Sequence, residues 1–202
     1  MLGYVTIANL AASKLGEDDQ LRNPNDDTPL GRSVAAVWAP VRQAALRDHS
    51  WNFAMRRAGL SAEALASVPY PFGYSFPLPA DNLRLIEVLS AGARDDYQIE
   101  GGSILCNSAG PVYIRYIADI EEPALWDALF VEAFACRLAD QISDRITGDV
   151  GRRDRAWQGY QAALSQAKRV DARENPQIPT EMTEWELARF GGGSSAASGG
   201  WA

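Results

Sequence analysis

The sequence predicts a mainly α-helical domain with a small antiparallel β insertion. Apolar residues recur at helical spacing both before Asp48 and after Pro123. Between those regions lies chain dense in Pro, Gly and aromatics, broken into short strand-like runs. The 202 residues, 47% apolar and including six Trp, fit one core-forming domain with a small insertion and a tail.

Taken in order, Tyr4 to Leu15 forms the first predicted helix: Val5, Ala8, Ala12 and Leu15 share a face, and Gly16 supplies the stop. Glu17 to Pro29, rich in Asp, Asn and Pro, reads as a loop. A second helix begins near Thr28 to Ser33 and runs to about Asp48, on an apolar stripe of Val34, Val37, Trp38, Val41 and Ala45. Pro40 lies within it and predicts a kink or two helices end to end. Strands are expected at Leu83–Leu89, Tyr97–Glu100, Ser103–Cys106 and Val112–Ile117, with Gly101 and Gly102 as a hairpin turn. They make one small sheet of three or four strands.

Pro123, at the position a helix tolerates best, is expected to open a long helix to about Thr147, ended by Gly148. Its first half, "ALWDALFVEAFACRLA", is apolar nearly all round, the mark of a helix enclosed by protein. A last helix spans about Arg152 to Glu174, with Trp157, Tyr160, Leu164 and Ala167 on one face. It is locally basic. The organisation read from these elements is N-terminal helices over 1–70, a β-rich insertion over 71–120, C-terminal helices over 121–174 and an extended tail over 175–202.

Composition excludes several function classes. A net charge of −7 argues against a free-standing DNA-binding module, which needs clustered Lys and Arg. It is compatible with a surface that DNA slides past without adhering. Cys106 and Cys136 lie far apart with no CxxC, so neither a disulfide framework nor a zinc site is expected. No metal or other cofactor is expected. There is no apolar run near eighteen residues and no signal-peptide pattern at Met1, so a soluble protein made in the cytoplasm is the expectation.

The densest stretch is "HSWNFAMRRAGL", His49 to Leu60. His49 has the side chain for proton shuttling, but no nucleophile context accompanies Cys106 or Cys136. A histidine closing a helix is the commoner role. Arg56 and Arg57 beside Trp51 and Phe53 offer a stacking clamp for nucleic acid, against the plainer reading of buried aromatics with solvated arginines. Trp51 and Phe53 are accordingly read as a structural plug between helix and β insertion. Glu121, Glu122 and Asp127 invite a glycoside-hydrolase carboxylate pair, yet acids gather at helix N-termini for electrostatic reasons alone. The tail ends in a Gly/Ser linker but carries Trp185, Phe190 and Trp201, the residue types that anchor interfaces.

The series "ANLAASKLGE", "VRQAALRDHSWNFAMRRAGL", "YSFPLPADNLRLIEV", "YQIEGGSILCNSAGPVYIRYI", "ALFVEAFACRLADQI" and "YQAALSQAKRVDARENP" resembles the tail tubular protein A family. These are the head-to-tail adaptors of short-tailed phages. The resemblance spans Tyr4 to about Pro176; its most specific pieces are "WNFA", "RAGL", "LPADNLR" and "DARE". It implies an antiparallel helix-bundle adaptor fold and a structural, non-enzymatic virion protein of the tail or neck. Such adaptors form a ring, expected to be dodecameric, beneath the portal protein. The ring extends the DNA channel, through which duplex DNA passes without sequence-specific binding, and it is a platform for a nozzle protein similar to tail tubular protein B. On this view the tail grips the portal through Trp185, Arg189, Phe190 and Trp201. Subunit contacts would draw on Trp126, Phe130, Phe134, Arg152, Arg153 and Arg155. Pro40 and the Gly/Ser ending depart from the family's pattern. The rival readings are a tail-associated cell-wall hydrolase using the acids above, and an unrelated protein-interaction module.

Overall fold

A computed structural model describes residues 3–63, 70–90, 93–94 and 96–174. Met1–Ala172 forms one compact unit, and Arg173–Ala202 separates as a second. Among the described residues there are four α-helices and two small antiparallel sheets, so the chain is mixed α/β.

Helix α1 (Tyr4–Lys14) ends where Gly16 adopts φ +67°. There the Glu17 amide donates back to the Ala12 carbonyl, closing the last turn. Helix α2 (Pro29–Arg47) begins at Thr28, whose hydroxyl accepts from the Gly31 amide at 3.0 Å, with Pro29 in the first turn. The helix is continuous through Pro40, which corrects the two-helix alternative. Pro40 and Ala36 are both exposed, so water can reach the carbonyl that proline leaves without a donor.

The β region holds more strands than the sequence pattern reveals. Strand β1 (Met55–Leu60) lies inside the "HSWNFAMRRAGL" stretch assigned to the N-terminal helices, so those helices end well before residue 70. Then come β2 (Tyr74–Pro77), β3 (Asn82–Ser90), β4 (Ala93–Arg94), β5 (Tyr97–Glu100), β6 (Ser103–Cys106) and β7 (Val112–Ala118). They make two sheets, not one: a four-stranded β1-β7-β3-β4 and a three-stranded β2-β6-β5. The turn between β5 and β6 has Gly101 at φ +57° and Gly102 at +83°, as a two-residue hairpin loop requires.

Helix α3 (Ala128–Ile146) also starts later than expected. Pro123 opens only a single 3-10 turn, Pro123–Leu125. The true N-cap is Asp127, whose carboxylate accepts from the Leu129 and Phe130 amides at 2.8 and 3.2 Å. Gly148, at φ +60°, terminates the helix as expected. From Phe130 to Cys136 only Glu132 is exposed, so this half is enclosed by its own chain. Helix α4 (Val150–Glu174) buries a narrow stripe of Ala156, Tyr160, Ala167 and Asp171. Trp157, placed by the sequence on that stripe, is instead 45% exposed. One continuous core joins α1, α2 and α3 to the inner faces of both sheets, from Ile7 through Trp51 and Phe130 to Phe76 and Ile104.

A charged staple crosses this core. Arg42, on the buried side of α2, donates from Nε and Nη2 to the two carboxylate oxygens of Asp119, each at 2.8 Å. Glu121 accepts from the same guanidinium at 3.2 Å, and Gln43 donates to Asp119 at 2.9 Å. The Asp119 amide meanwhile donates to the Asp81 carbonyl, so the residue after β7 is tied both to the entry of β3 and, through Arg42 and Gln43, to α2. Burial pushes the Asp119 carboxyl up, but hydrogen bonds from Arg42 and Gln43 and the Arg42 charge outweigh it and hold it below its ordinary value.

A folded-state pKa that is lowered contributes stability above the unfolded value, and that contribution disappears as pH falls through the folded one. Asp119→Asn strands a buried guanidinium and is expected to cost about 3 kcal/mol near neutral pH. Denaturant titrations at pH 7 and below pH 3 check this: the gap between wild type and variant narrows in acid. A gap of equal size at both pH values contradicts the assignment.

Candidate functional site: the aromatic plug and the surfaces around it

The chain leaves α2 at Asp48, and within a few residues its direction is fixed by side-chain bonds. Trp51 is fully buried, and its indole N–H donates to the Ala45 carbonyl at 3.1 Å, hooking the loop onto the last turn of α2. Its ring meets Phe130 edge-on at 5.0 Å, and half-buried Phe53 approaches the same Phe130 at 5.0 Å. A second hook mirrors the first: Trp126 donates from its indole to the Ile120 carbonyl at 2.8 Å, just before α3. Trp126 then meets Phe130 at 5.3 Å, Phe134 at 4.9 Å and Trp38 at 6.0 Å. Tyr4 of α1 joins at 4.4 Å from Trp38. Each layer boundary therefore closes on one aromatic row.

Asp171, near the end of α4, clasps the same loop. Its Oδ1 accepts from the Asn52 amide at 2.9 Å, and its Oδ2 lies 3.1 Å from His49 Nε2. Its backbone carbonyl accepts from the Asn52 side chain at 2.7 Å. His49 also stands edge-on to Trp51, 4.9 Å between ring centres. The lone histidine is thus committed to a structural clasp. Asp48 is similarly occupied: Arg137 donates to it at 2.6 Å and the Tyr160 hydroxyl also donates to it. Burial, followed by the Asp48 hydrogen bond, pushes the Tyr160 hydroxyl well above its ordinary pKa.

The remaining sequence candidates scatter. Trp126, Phe130 and Phe134 are 5%, 1% and 0% exposed, covered by the chain's own helices and loops, so they do not present themselves to a neighbouring subunit. Arg152 donates to the Leu15 carbonyl at 2.6 Å, binding the start of α4 to the end of α1. Arg153 pairs with Asp140 at 3.5 Å and Asp144 at 3.2 Å. Arg155 is exposed. Of the three acids, Glu121 serves Arg42 and Asp127 caps α3, while Glu122 is exposed. Among the described residues, no group of three or more His, Cys, Asp or Glu is arranged to hold a metal. Nor is any helix among them long and apolar enough to cross a membrane. Trp185, Arg189, Phe190 and Trp201 lie outside the described residues.

Two functional-looking features escaped the sequence reading. The outer face of the four-stranded sheet carries a groove of about 410 Å³ lined by Arg57, Gly59, Glu87, Leu89, Tyr113 and Arg115. Register sets Arg57 and Glu87 on either side of Arg115, and the Tyr113 ring lies across from Gly59. The second feature is the pair of buried charges, Arg42 and Asp171. Both fall on the apolar stripes of their helices, and a charge in such a stripe is the signal that a buried partner exists. The chain matches no known family model, and no curated protein matches it.

Truncating Trp51 removes a hydrogen bond and the face of Phe130's packing together. Trp51→Ala is expected to cost about 3–5 kcal/mol, a large share of the 5–15 kcal/mol typical of a domain. Thermal unfolding followed by near-UV circular dichroism checks it. A variant with native signal and an unchanged midpoint would show that the plug is dispensable.

Proposed function

We propose that this chain is a structural head-to-tail adaptor of a short-tailed phage. In this reading copies assemble into a ring beneath the portal, lengthen the DNA channel and present a platform for the nozzle protein. It works as a virion component of the neck or tail, made in the host cytoplasm, and it is not an enzyme. The ring is expected to be dodecameric, with the helices forming the bundle of such adaptors.

The observation that carries this reading is the ordered series of sequence words from Tyr4 to about Pro176. The element order supports it: two helices, a β region, then two helices leading into the C-terminal segment. Rigidity supports it as well. The loop between α2 and β1 is held by an indole hook and a carboxylate clasp, as a part that transmits load between neighbours requires. The net charge of −7 suits a conduit that duplex DNA traverses without sticking. The tail's Trp185, Arg189, Phe190 and Trp201 are the proposed grip on the portal.

Light scattering or mass photometry of the purified chain with its portal tests this, using the full-length protein and a form ending at Glu174. The full-length chain is expected to add to the portal as a multi-copy ring and the shortened form to fail. If neither form binds the portal, the adaptor reading is wrong.

A further inference from the structure

A cleft of about 470 Å³ opens between the end of α1 and the first half of α4, and its wall is basic. Lys14, Arg152 and Arg155 line it, above a floor that includes Leu15, Cys136 and Gly159, and no carboxylate is among its lining residues. Two of the cations are partly engaged. Lys14 meets Glu132 at 2.5 Å, and Arg152 serves the Leu15 carbonyl with Asp149 at 3.7 Å. Arg155 has no partner among the described residues. The cleft therefore offers an exposed guanidinium without a carboxylate partner among the described residues, beside an apolar floor.

Elsewhere on the same unit stands a surface of opposite character. Glu121, Glu122, Ala124 and Leu125 are exposed side by side, Leu125 at 60%. This shoulder is rigid. The Leu125 amide donates to the Glu122 carbonyl, Trp126 hooks its indole to the Ile120 carbonyl, and Arg42 holds Glu121. A preorganised acidic turn topped by an exposed leucine loses little entropy on docking.

We infer that the acidic Glu121–Leu125 shoulder of one copy docks in the basic α1–α4 cleft of a second copy. Glu122 meets Arg155, and Leu125 covers the apolar floor. Because the two surfaces share no residue, the contact is heterologous: each copy offers one cleft and one shoulder, so association runs from copy to copy, into a ring where the rotation closes and a filament where it does not. The inference rests on the adaptor reading only in naming the assembly a ring; the contact itself follows from the two surfaces. It replaces the buried Trp126, Phe130 and Phe134 as the source of subunit contact and retains Arg152 and Arg155.

Charge exchange tests it in the full-length protein without any portal. Arg155→Glu and Glu122→Arg alter exposed side chains, so both variants are expected to fold as wild type does. Sedimentation velocity over a concentration series should show wild-type self-association that weakens with added salt. Each single reversal should weaken it on the order of tenfold or more. An equimolar mixture of the two variants should recover association, because each then finds an opposite charge. The proposal is overturned if wild type stays monomeric throughout, or if the mixture associates no better than its components. It is also overturned if only Arg155→Glu has an effect, or if that variant's sole defect is loss of duplex DNA binding. Recovery in the mixture with no portal binding would keep this contact and remove the adaptor reading. Portal-bound rings indifferent to both reversals would do the reverse.

Discussion

Phe130 is the side chain on which the rest of this structure converges. It sits in the first turn of α3, where Asp127 caps the helix and fixes the position of the ring. Trp51 and Phe53 reach it from the loop entering the β region, Trp126 from the loop leaving it, and Phe134 from one helical turn further on. Trp51 and Trp126 meet it edge-to-face and Phe134 stacks on it; such aromatic pairs contribute about 0.5–1.5 kcal/mol each beyond area burial and have preferred geometries. Both crossings between helices and sheets are therefore referred to one point. Two indole hydrogen bonds, from Trp51 to Ala45 and from Trp126 to Ile120, keep those crossings from sliding along the aromatic row.

The charged groups then set what the aromatics leave free. Arg42 ties the middle of α2 to the end of β7, and Asp171 ties α4 to the plug loop. Helix α4 depends on this more than the others do, because its buried stripe is narrow and the rest of it, Trp157 and Val170 included, is largely exposed. Without the clasp, a helix with so little buried apolar area would be held mainly by Tyr160 and its small neighbours. Buried ion pairs contribute little net stability but penalise alternative packings heavily when broken. In an adaptor of the proposed kind, registration would matter more than added stability.

Helices were legible because their signals are local. Gly16 and Gly148 mark ends through backbone chemistry that no distant contact changes, whereas the start of α2 at Thr28 and Pro29 is legible only to within a few residues. The hairpin at Gly101 and Gly102 was legible for the same reason. Strand β1 was not. "MRRAGL" has no apolar alternation, because its outward positions include Arg57 and Gly59 and its partner β7 supplies most of the apolar surface. Pro123 misled in a different way: a proline also opens a 3-10 turn, and only the side-chain oxygen of Asp127 distinguishes the true start. The candidate interface residues Trp126, Phe130 and Phe134 stand out in the sequence for being large and apolar. That property equally describes a protomer's own core, which is where Trp126, Phe130 and Phe134 lie. The Arg155 cleft requires α1 and α4 to meet, which no local pattern encodes.

As the proposed adaptor, this acidic, mixed α/β unit would stand at a junction where copies meet one another and a channel continues through them. A cryo-electron microscopy reconstruction of the portal mixed with the full-length chain tests the adaptor proposal directly. A closed ring of copies coaxial with the portal channel is expected, with α4 beside the α1 end of its own subunit and the Glu121–Leu125 shoulder at the boundary with the next. Density lying off the channel axis, or a portal without added density at saturating chain, would contradict the proposal.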